Sequence, residues 1–268
     1  MLKSIMKLEV SQNMPGSLNW RFANYGVTAT LKYVILEKVF KKKKLKSKSI
    51  TTSPVSVTGF FNLDQSKFDF ISLFVDRYLA DCETIILNNG IRIKLGVVGK
   101  DSPKNRLYAL GLAIYALRPA MYVETGTQHG ISAGFVEKLS EVLDIKIRVV
   151  SFDVVAHLDT LPGFSFERII LKYPARKSLI ENLNKLKSEC DKVIFFHDSD
   201  HSFENMYWEF KIALKTLDPI AIISDDVSLN KSFLKFCKRE ELKFTQFRIS
   251  SGNAAGIALK DIRDPDGT

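Results

Sequence analysis

The chain has 268 residues, of which 46% are hydrophobic and 26% are charged, a balance typical of a globular protein with a full core. Its longest apolar run near the middle, residues 107–117, is too short to cross a bilayer, and residues 1–22 contain no continuous apolar stretch of the secretory-signal kind. Three scattered cysteines, an odd number, argue against a disulfide framework or a zinc site. They favour a reducing compartment, so we expect a cytoplasmic location.

The positive charge is concentrated at the N-terminus. Residues 1–56 carry 11 Lys and Arg but only 2 Asp and Glu, which accounts for the whole net charge of +9. We interpret this segment as a basic arm on a neutral domain, which makes nucleic acid an improbable partner for the protein as a whole. Within the arm, residues 28–49 join a predicted amphipathic helix to a lysine cluster. A solvated helix end with a flexible linker and a peripheral contact with an anionic membrane surface are the main alternatives for it.

Residues 57–104 form a predicted accessory region. Apolar side chains at helical spacing predict a helix in its first half. They are Phe68, Ile71, Phe74, Val75, Tyr78 and Leu79. Asn88-Asn89-Gly90 lies between the apolar runs 84–87 and 91–95, and this pattern predicts a β-hairpin. A lid, a contact between subunits of a homo-oligomer and a part of the acceptor pocket are the candidate roles.

From residue 105 onward, predicted helices and strands alternate. Strands are expected at 121–125, 147–152, 168–171, 193–196, 220–223, 244–249 and 256–259. Ser132 and Ser202 are placed to cap two of the intervening helices. The alternation predicts that residues 105–268 are one α/β domain, a mostly parallel sheet with helices on both faces.

The loop after the first of these strands has the residues of a nucleoside site. Gly126 and Gly130 would let the backbone approach a ligand closely, and Glu124 precedes them. Asp153 ends the next strand, where a carboxylate could accept hydrogen bonds from ribose hydroxyls. Ligands of such sheets bind at the carboxyl ends of the strands, so we expect a nucleoside here, with a purely structural turn as the alternative.

Two groups of acidic residues follow two later strands. Asp198 and Asp200 come after the strand at 193–196, and Asp225-Asp226 come after the strand at 220–223. If these strands are parallel neighbours about 4.8 Å apart, Asp198, Asp225 and Asp226 surround one small volume. Three like charges require a cation, and carboxylates suit a hard divalent metal. Asp200 is expected to support these residues.

Two sequence motifs resemble a known family. Residues 123–132, Val-Glu-Thr-Gly-Thr-Gln-His-Gly-Ile-Ser, resemble motif I of class I S-adenosylmethionine-dependent methyltransferases. Residues 198–204, Asp-Ser-Asp-His-Ser-Phe-Glu, are similar to the D-G-D-H-S-Y-E signature of the macrocin O-methyltransferase and cephalosporin-hydroxylase-like group. The resemblance covers about residues 105–260 and implies a Rossmann-like, doubly wound, mostly parallel seven-stranded sheet.

The resemblance also implies cofactors and residue roles. Mg²⁺ would be held by Asp198, Asp225 and Asp226, with His201 as the general base. S-adenosylmethionine would be bound by residues near motif I and by two aspartates of the later strands. These are Glu124, Gly126, Thr127, Gln128, Gly130, Ser132, Asp153 and Asp198. Ser199 stands where the group has Gly, and residues 218–221, Asp-Pro-Ile-Ala, stand where it has Gly-Gly.

We therefore predict a Mg²⁺-dependent O-methyltransferase that acts on a hydroxyl of a sugar or another hydroxylated small molecule, including natural products. The chief alternative is a catalytically inactive, methyltransferase-like nucleoside-binding protein docked through its basic arm. A hydroxylase lacks support because two His and one carboxylate are not found together. Nucleic-acid methylation would need the basic arm for binding.

Overall fold

The computed structural model describes residues 50–91, 103–156 and 160–260. The arm through residue 49, with its predicted membrane-binding stretch 28–49, lies outside the described residues, as does the second strand of the predicted hairpin beyond Ile91. The division of the chain into arm, accessory region and catalytic domain stays a prediction.

The described residues form one eight-stranded sheet. Its strands are β1 (Ile50–Thr51), β2 (Met121–Thr125), β3 (Arg148–Asp153), β4 (Glu167–Ile170), β5 (Val193–His197), β6 (Ala221–Ser224), β7 (Lys243–Phe247) and β8 (Ala255–Leu259). Their order is β1-β7-β8-β6-β5-β2-β3-β4, and β8 alone of these runs antiparallel to its neighbours. The Rossmann-like, mostly parallel architecture is confirmed. The prediction of seven strands missed β1, a two-residue strand that pairs with β7.

Seven helices are described, and they cover both faces of the sheet. They are α1 (Pro54–Phe60), α2 (Gln65–Asn88), α3 (Lys104–Leu117), α4 (Ile131–Val142), α5 (Ala175–Leu186), α6 (Phe203–Leu217) and α7 (Ser232–Arg239). Alternate residues of the strands enter opposite cores, because successive strand side chains point to opposite faces. Tyr122 and Phe196 pack in the core with α2, α3 and α4, whereas Val123 and Phe195 pack in the core with α5, α6 and α7.

The predicted hairpin is wrong in its first half, because residues 84–88 continue helix α2. Asn89 caps the helix and Gly90 follows with φ 63°, the left-handed conformation that commonly ends a helix. The Asn-Gly pair thus ends a helix here and does not form a turn between strands. Buried residues along α2 belong to the core that contains Tyr122, so the accessory helix packs as part of the domain.

One predicted helix cap is confirmed and the other is wrong. The Ser202 side chain accepts a hydrogen bond from Asn205 N and begins α6. Helix α4 begins instead after Gly130, whose φ is 82°, and Ser132 is a buried residue inside that helix. In the part of the chain that the structure describes, no helix is long and apolar enough to span a membrane.

The orientation of α2 can be tested with two leucines of the same helix. Leu79 is 1% exposed in the core, whereas Leu73 is 72% exposed. Leu79→Ala is expected to lower the free energy of unfolding by about 2–5 kcal/mol because it leaves a cavity. Leu73→Ala should change it by less than about 0.5 kcal/mol. Urea unfolding followed by circular dichroism measures both, and equal effects would contradict this packing.

Candidate active site

The register of three neighbouring strands brings the predicted site together. Thr125 of β2 pairs with His197 of β5, and His197 pairs with Ser224 of β6. The ladder continues past the strand ends, because Asp198 N donates to Thr125 O at 2.9 Å and Asp225 N donates to His197 O at 3.0 Å. The loop after β2 and both groups of acids therefore lie side by side at the carboxyl edge of the sheet.

Residues 126–130, the motif I loop, pack directly against this acidic edge. Gly126 has φ 95°, and a Cβ atom there would lie 2.1 Å from the backbone oxygen of Asp198. A Cβ on Gly130 would meet the ring of Phe166 at 2.8 Å. The two glycines thus allow close approach of protein atoms, which the sequence argument had assigned to a ligand. Their cofactor contacts, and those of Thr127, stay predictions.

Asp153 joins the loops after β2 and β3. Its Oδ2 accepts from Gln128 N at 2.8 Å, and its Oδ1 accepts from Val154 N at 2.7 Å and Val155 N at 3.1 Å. A carboxylate has about four acceptor positions, so these bonds use most of its capacity. Asp153 lies at the predicted edge of the sheet, and its predicted bonds to ribose hydroxyls stay a prediction.

Glu124 is fully buried beneath the motif I loop. Its carboxylate accepts from Tyr122 Oη at 2.6 Å and from Ser151 Oγ at 2.5 Å. Burial raises the pKa of Glu124, while hydrogen bonds from Ser151, Tyr122 and Ser132 oppose that change. Ser132 therefore contributes its hydroxyl to this network and not to a helix cap. The predicted cofactor contacts of Glu124 and Ser132 stay predictions.

Two loops of the site hold non-glycine residues in the left-handed conformation. Gln128 has φ 45° and Asp226 has φ 57°. The other such residues that the structure describes follow the ends of helices, where this conformation is ordinary. Strained backbone away from helix ends is typical of ligand-binding loops, so the two positions support a functional role for this edge.

The sequence analysis missed the cation that lies among the acids. Arg106 Nη1 is 3.0 Å from Asp198 Oδ2 and 2.9 Å from Asp225 Oδ2. Arg106 belongs to the first turn of α3, and Asn105 beside it fastens that turn to the loop after β7. The Asn105 Oδ1 accepts from Ile249 N and Ser250 N, both at 2.9 Å. No sequence pattern singles out Arg106, because the burial of Asn105 and the contacts of Arg106 follow from the tertiary structure.

The charges of the acid cluster, defined as Asp198, Asp225 and Asp226, are only partly compensated. Burial raises the pKa of Asp198 well above its ordinary value, and the nearby Asp225 and Asp226 add to this effect although Arg106 opposes it. Burial also raises the pKa of Asp226. Three carboxylates beside one guanidinium retain a demand for positive charge, since like charges disfavour ionisation.

His201 lies at the mouth of the acid cluster, as predicted. Its Nε2 is 3.6 Å from Asp198 Oδ1 and 3.8 Å from Asp226 Oδ2. Among the described residues this buried nitrogen has no hydrogen-bond partner. An imidazole nitrogen that faces two carboxylates and has no partner is suited to take a proton from a substrate.

His197 is a buried residue of the core beneath the site. It is fully buried, its ring lies 5.3 Å from that of Phe210, and burial lowers its pKa well below the ordinary value. Beside it lies Glu209, which sequence reasoning missed. The Glu209 Oε1 accepts from Ser199 Oγ at 2.8 Å and from Asn205 Nδ2 at 2.9 Å. The serine that replaces the group's glycine therefore anchors the signature loop, and Asp200 helps by accepting from Ser202 N.

The second difference from the group is at residues 218–221, which stand where the group has Gly-Gly. It does not disturb the strand that follows. Asp218 ends α6 with φ 50°, a conformation glycine usually provides, and its carboxylate accepts from Lys260 Nζ. Strand β6 then begins at Ala221 and pairs in register with β5. Loss of the Gly-Gly pair leaves Asp225 at the end of its strand.

The donor chemistry of the acid cluster fits Mg²⁺, but Arg106 already bridges two of the carboxylates. As the side chains stand in residues 50–91, 103–156 and 160–260, no group of three or more His, Cys, Asp or Glu is arranged to hold a metal ion. The three hard oxygen ligands would suit Mg²⁺ only after Arg106 moves away.

Residues 102–221 match the family model described as rhamnosyl O-methyltransferase/CmcI, in agreement with the resemblance. The match supports an S-adenosylmethionine-dependent O-methyltransferase, the class of enzyme that the sequence predicts. The comparison with curated proteins found no match.

Several solved structures match this chain at low identity. An apo structure of CmcI-N160 is 16% identical, with 58% of this chain and 71% of that chain covered and a TM-score of 0.43. The SAH-bound methyltransferase PaMTH1 of Podospora anserina is 12% identical, with 81% and 100% covered and a TM-score of 0.43. TomG of Streptomyces achromogenes, an O-methyltransferase in complex with SAM, is 12% identical, with 68% and 88% covered and a TM-score of 0.37.

The contact between Gly126 and Asp198 can be tested with a matched glycine. Gly163 has a similar φ of 89°, but a Cβ there would meet nothing within 4 Å. Gly163→Ala should therefore cost only the strained conformation, roughly 1–2 kcal/mol. Gly126→Ala adds a backbone clash and should also weaken S-adenosylmethionine binding by at least about tenfold. Thermal unfolding and calorimetric titration measure the two effects, and equal behaviour of the variants would refute the contact.

Proposed function

We propose that the enzyme transfers the methyl group of S-adenosylmethionine to a hydroxyl of a sugar or another hydroxylated small molecule, with Mg²⁺ at the acid cluster. The observation that carries this proposal is the continuous ladder from Thr125 through His197 to Asp225. This ladder brings the motif I loop beside three carboxylates and beside His201, whose Nε2 has no hydrogen-bond partner among the described residues. Methyl transfer to an alcohol needs both parts, because the acceptor oxygen must be aligned with the methyl group and must lose its proton.

Each group of residues has a defined part in this proposal. Residues 126–130 and Asp153 would hold the cofactor, which supplies the methyl group from its sulfonium. Asp198, Asp225 and Asp226 would hold Mg²⁺, which when bound lowers the pKa of a coordinated hydroxyl and orients it. His201 Nε2 takes the hydroxyl proton while the carbon–oxygen bond forms and the carbon–sulfur bond breaks. S-adenosylhomocysteine and a protonated His201 remain.

The acceptor class follows from the strength of the acid that must be deprotonated. An aliphatic hydroxyl is a poor acid, so a site with three carboxylates for a cation and a nearby base is suited to it. A phenol or a thiol is a stronger acid, so such an acceptor would lose its proton with less assistance from a cation and a base. The roles of residues 28–49 on an anionic membrane surface and of residues 57–104 as a lid or oligomer contact stay predictions.

The metal role is tested by paired aspartate substitutions. Asp225→Asn should lower turnover by about 100-fold, because it removes one carboxylate from the cation site. Asp218→Asn is the control, since that aspartate is exposed and pairs with Lys260. Turnover is measured as S-adenosylhomocysteine release with a panel of sugars and polyols. Full activity in excess chelator, or in Asp225→Asn, would exclude the metal role, and cofactor binding without any turnover across the panel would favour an inactive nucleoside-binding protein.

The role of His201 is tested by its pH dependence. His201→Gln should reduce kcat by about 100- to 10,000-fold if the imidazole removes the acceptor proton. The variant should also lose the acidic limb of the pH–rate profile, because that limb reports protonation of the base. Affinity for S-adenosylmethionine should remain within about twofold of the unsubstituted enzyme. A variant that keeps the same acidic limb at reduced rate would show that His201 is not the base.

A further inference from the structure

Arg106 occupies the position between two carboxylates that a bound cation would take. A single nitrogen, Nη1, contacts one oxygen of Asp198 and one oxygen of Asp225, at 3.0 and 2.9 Å. The three side chains are only 13–18% exposed, so solvent screens the contact weakly. Arg106 thus supplies, from the protein itself, the counter-charge that the acid cluster requires.

A divalent ion and the guanidinium oppose each other at these carboxylates. Arg106 Nη1 contacts one oxygen of Asp198 and one of Asp225, so a dication held by the same carboxylates would be close to a guanidinium. The repulsion between the two cations is strong in a buried site, so each disfavours binding of the other.

Arg106 binds the acid cluster without using its full set of hydrogen-bond donors. Arginine binds carboxylates most strongly through two parallel N–H donors, but here one nitrogen serves both partners. Its Nε is buried and has no hydrogen-bond partner among the described residues. An arginine with an unsatisfied buried donor loses less on withdrawal than one held by a complete fork.

We propose that Arg106 is an internal competitor for the metal site: its guanidinium holds Asp198 and Asp225 when no metal is bound and withdraws when a divalent cation enters. The inference deepens the proposed function and rests on it for the identity of the ion. Loss of a distant surface cation changes metal affinity only weakly, because salt screens the charge. Loss of Arg106, which contacts the carboxylates directly, should strengthen metal binding markedly.

The test is divalent-cation affinity, measured with Mn²⁺ by the loss of the free-ion electron paramagnetic resonance signal at constant ionic strength. Arg106→Gln should bind Mn²⁺ at least tenfold more tightly than the unsubstituted protein. Arg106→Lys keeps the charge and should lie between them. Arg148→Gln is the matched control, because Arg148 pairs with Glu167 and Glu189 on the surface and its loss removes the same net charge.

Unchanged or weaker Mn²⁺ binding in Arg106→Gln overturns the inference, as does an equal gain in Arg148→Gln or an absence of binding in every variant. If Arg106→Gln does not fold, a second measurement decides. In ¹⁵N-labelled unsubstituted protein, the Nε–H signal of Arg106, assigned by its absence in Arg106→Lys, should shift as Mg²⁺ is added. A signal unchanged at saturating Mg²⁺ overturns the inference.

The outcomes also separate this inference from the proposed function. If Arg106→Gln gains Mn²⁺ affinity while turnover of the unsubstituted enzyme is insensitive to chelator, Arg106 competes for the site but methyl transfer does not use the metal. If chelator abolishes turnover and Arg106→Gln gains no affinity, the metal role stands and the competition is refuted.

Discussion

The in-register ladder of β2, β5 and β6 is the constraint on which the rest of the site depends. Parallel strands that share a register end at the same level, so the residues that follow them must meet. Hydrogen bonds from Asp198 N and Asp225 N extend the ladder by one step beyond the strands, and Gly126 permits the neighbouring loop to pack on Asp198. The motif I loop and the acid cluster are therefore parts of one continuous edge of the sheet.

Charge compensation is the second consequence of that edge. Bringing three carboxylates together in a mostly buried place raises the pKa of Asp198 and Asp226, and the protein offsets part of this cost with Arg106. The first turn of α3 delivers that arginine because Asn105 ties it to the loop after β7. A remote loop thus controls the electrostatics of the site, and the cluster remains able to accept further positive charge.

The wrong predictions each rested on a short sequence pattern that occurs in more than one local structure. Asn89-Gly90 favours a tight turn, but the same residues end a helix, and the buried apolar face of α2 decides between these outcomes. Ser132 has a capping residue's chemistry, yet Gly130 begins the helix and the hydroxyl turns inward toward Glu124. Glu209 and Arg106 were missed because Thr125, Asp198 and Asp225, with which they pair, are distant from them in the chain.

The sequence by itself determined the alternating strands and helices, the resemblance to methyltransferases, and the acids and histidine at the strand ends, because each depends on local periodicity or on a short contiguous motif. Only the tertiary structure decided how the negative charge of the acid cluster is compensated and which side chains already have hydrogen-bond or ion-pair partners. Those outcomes depend on contacts between residues separated by 84 to 119 positions, such as Thr125 with Glu209 and Arg106 with Asp225. No local pattern encodes such pairs, since the strand register and the packing of α3 and α6 on the sheet set their distances.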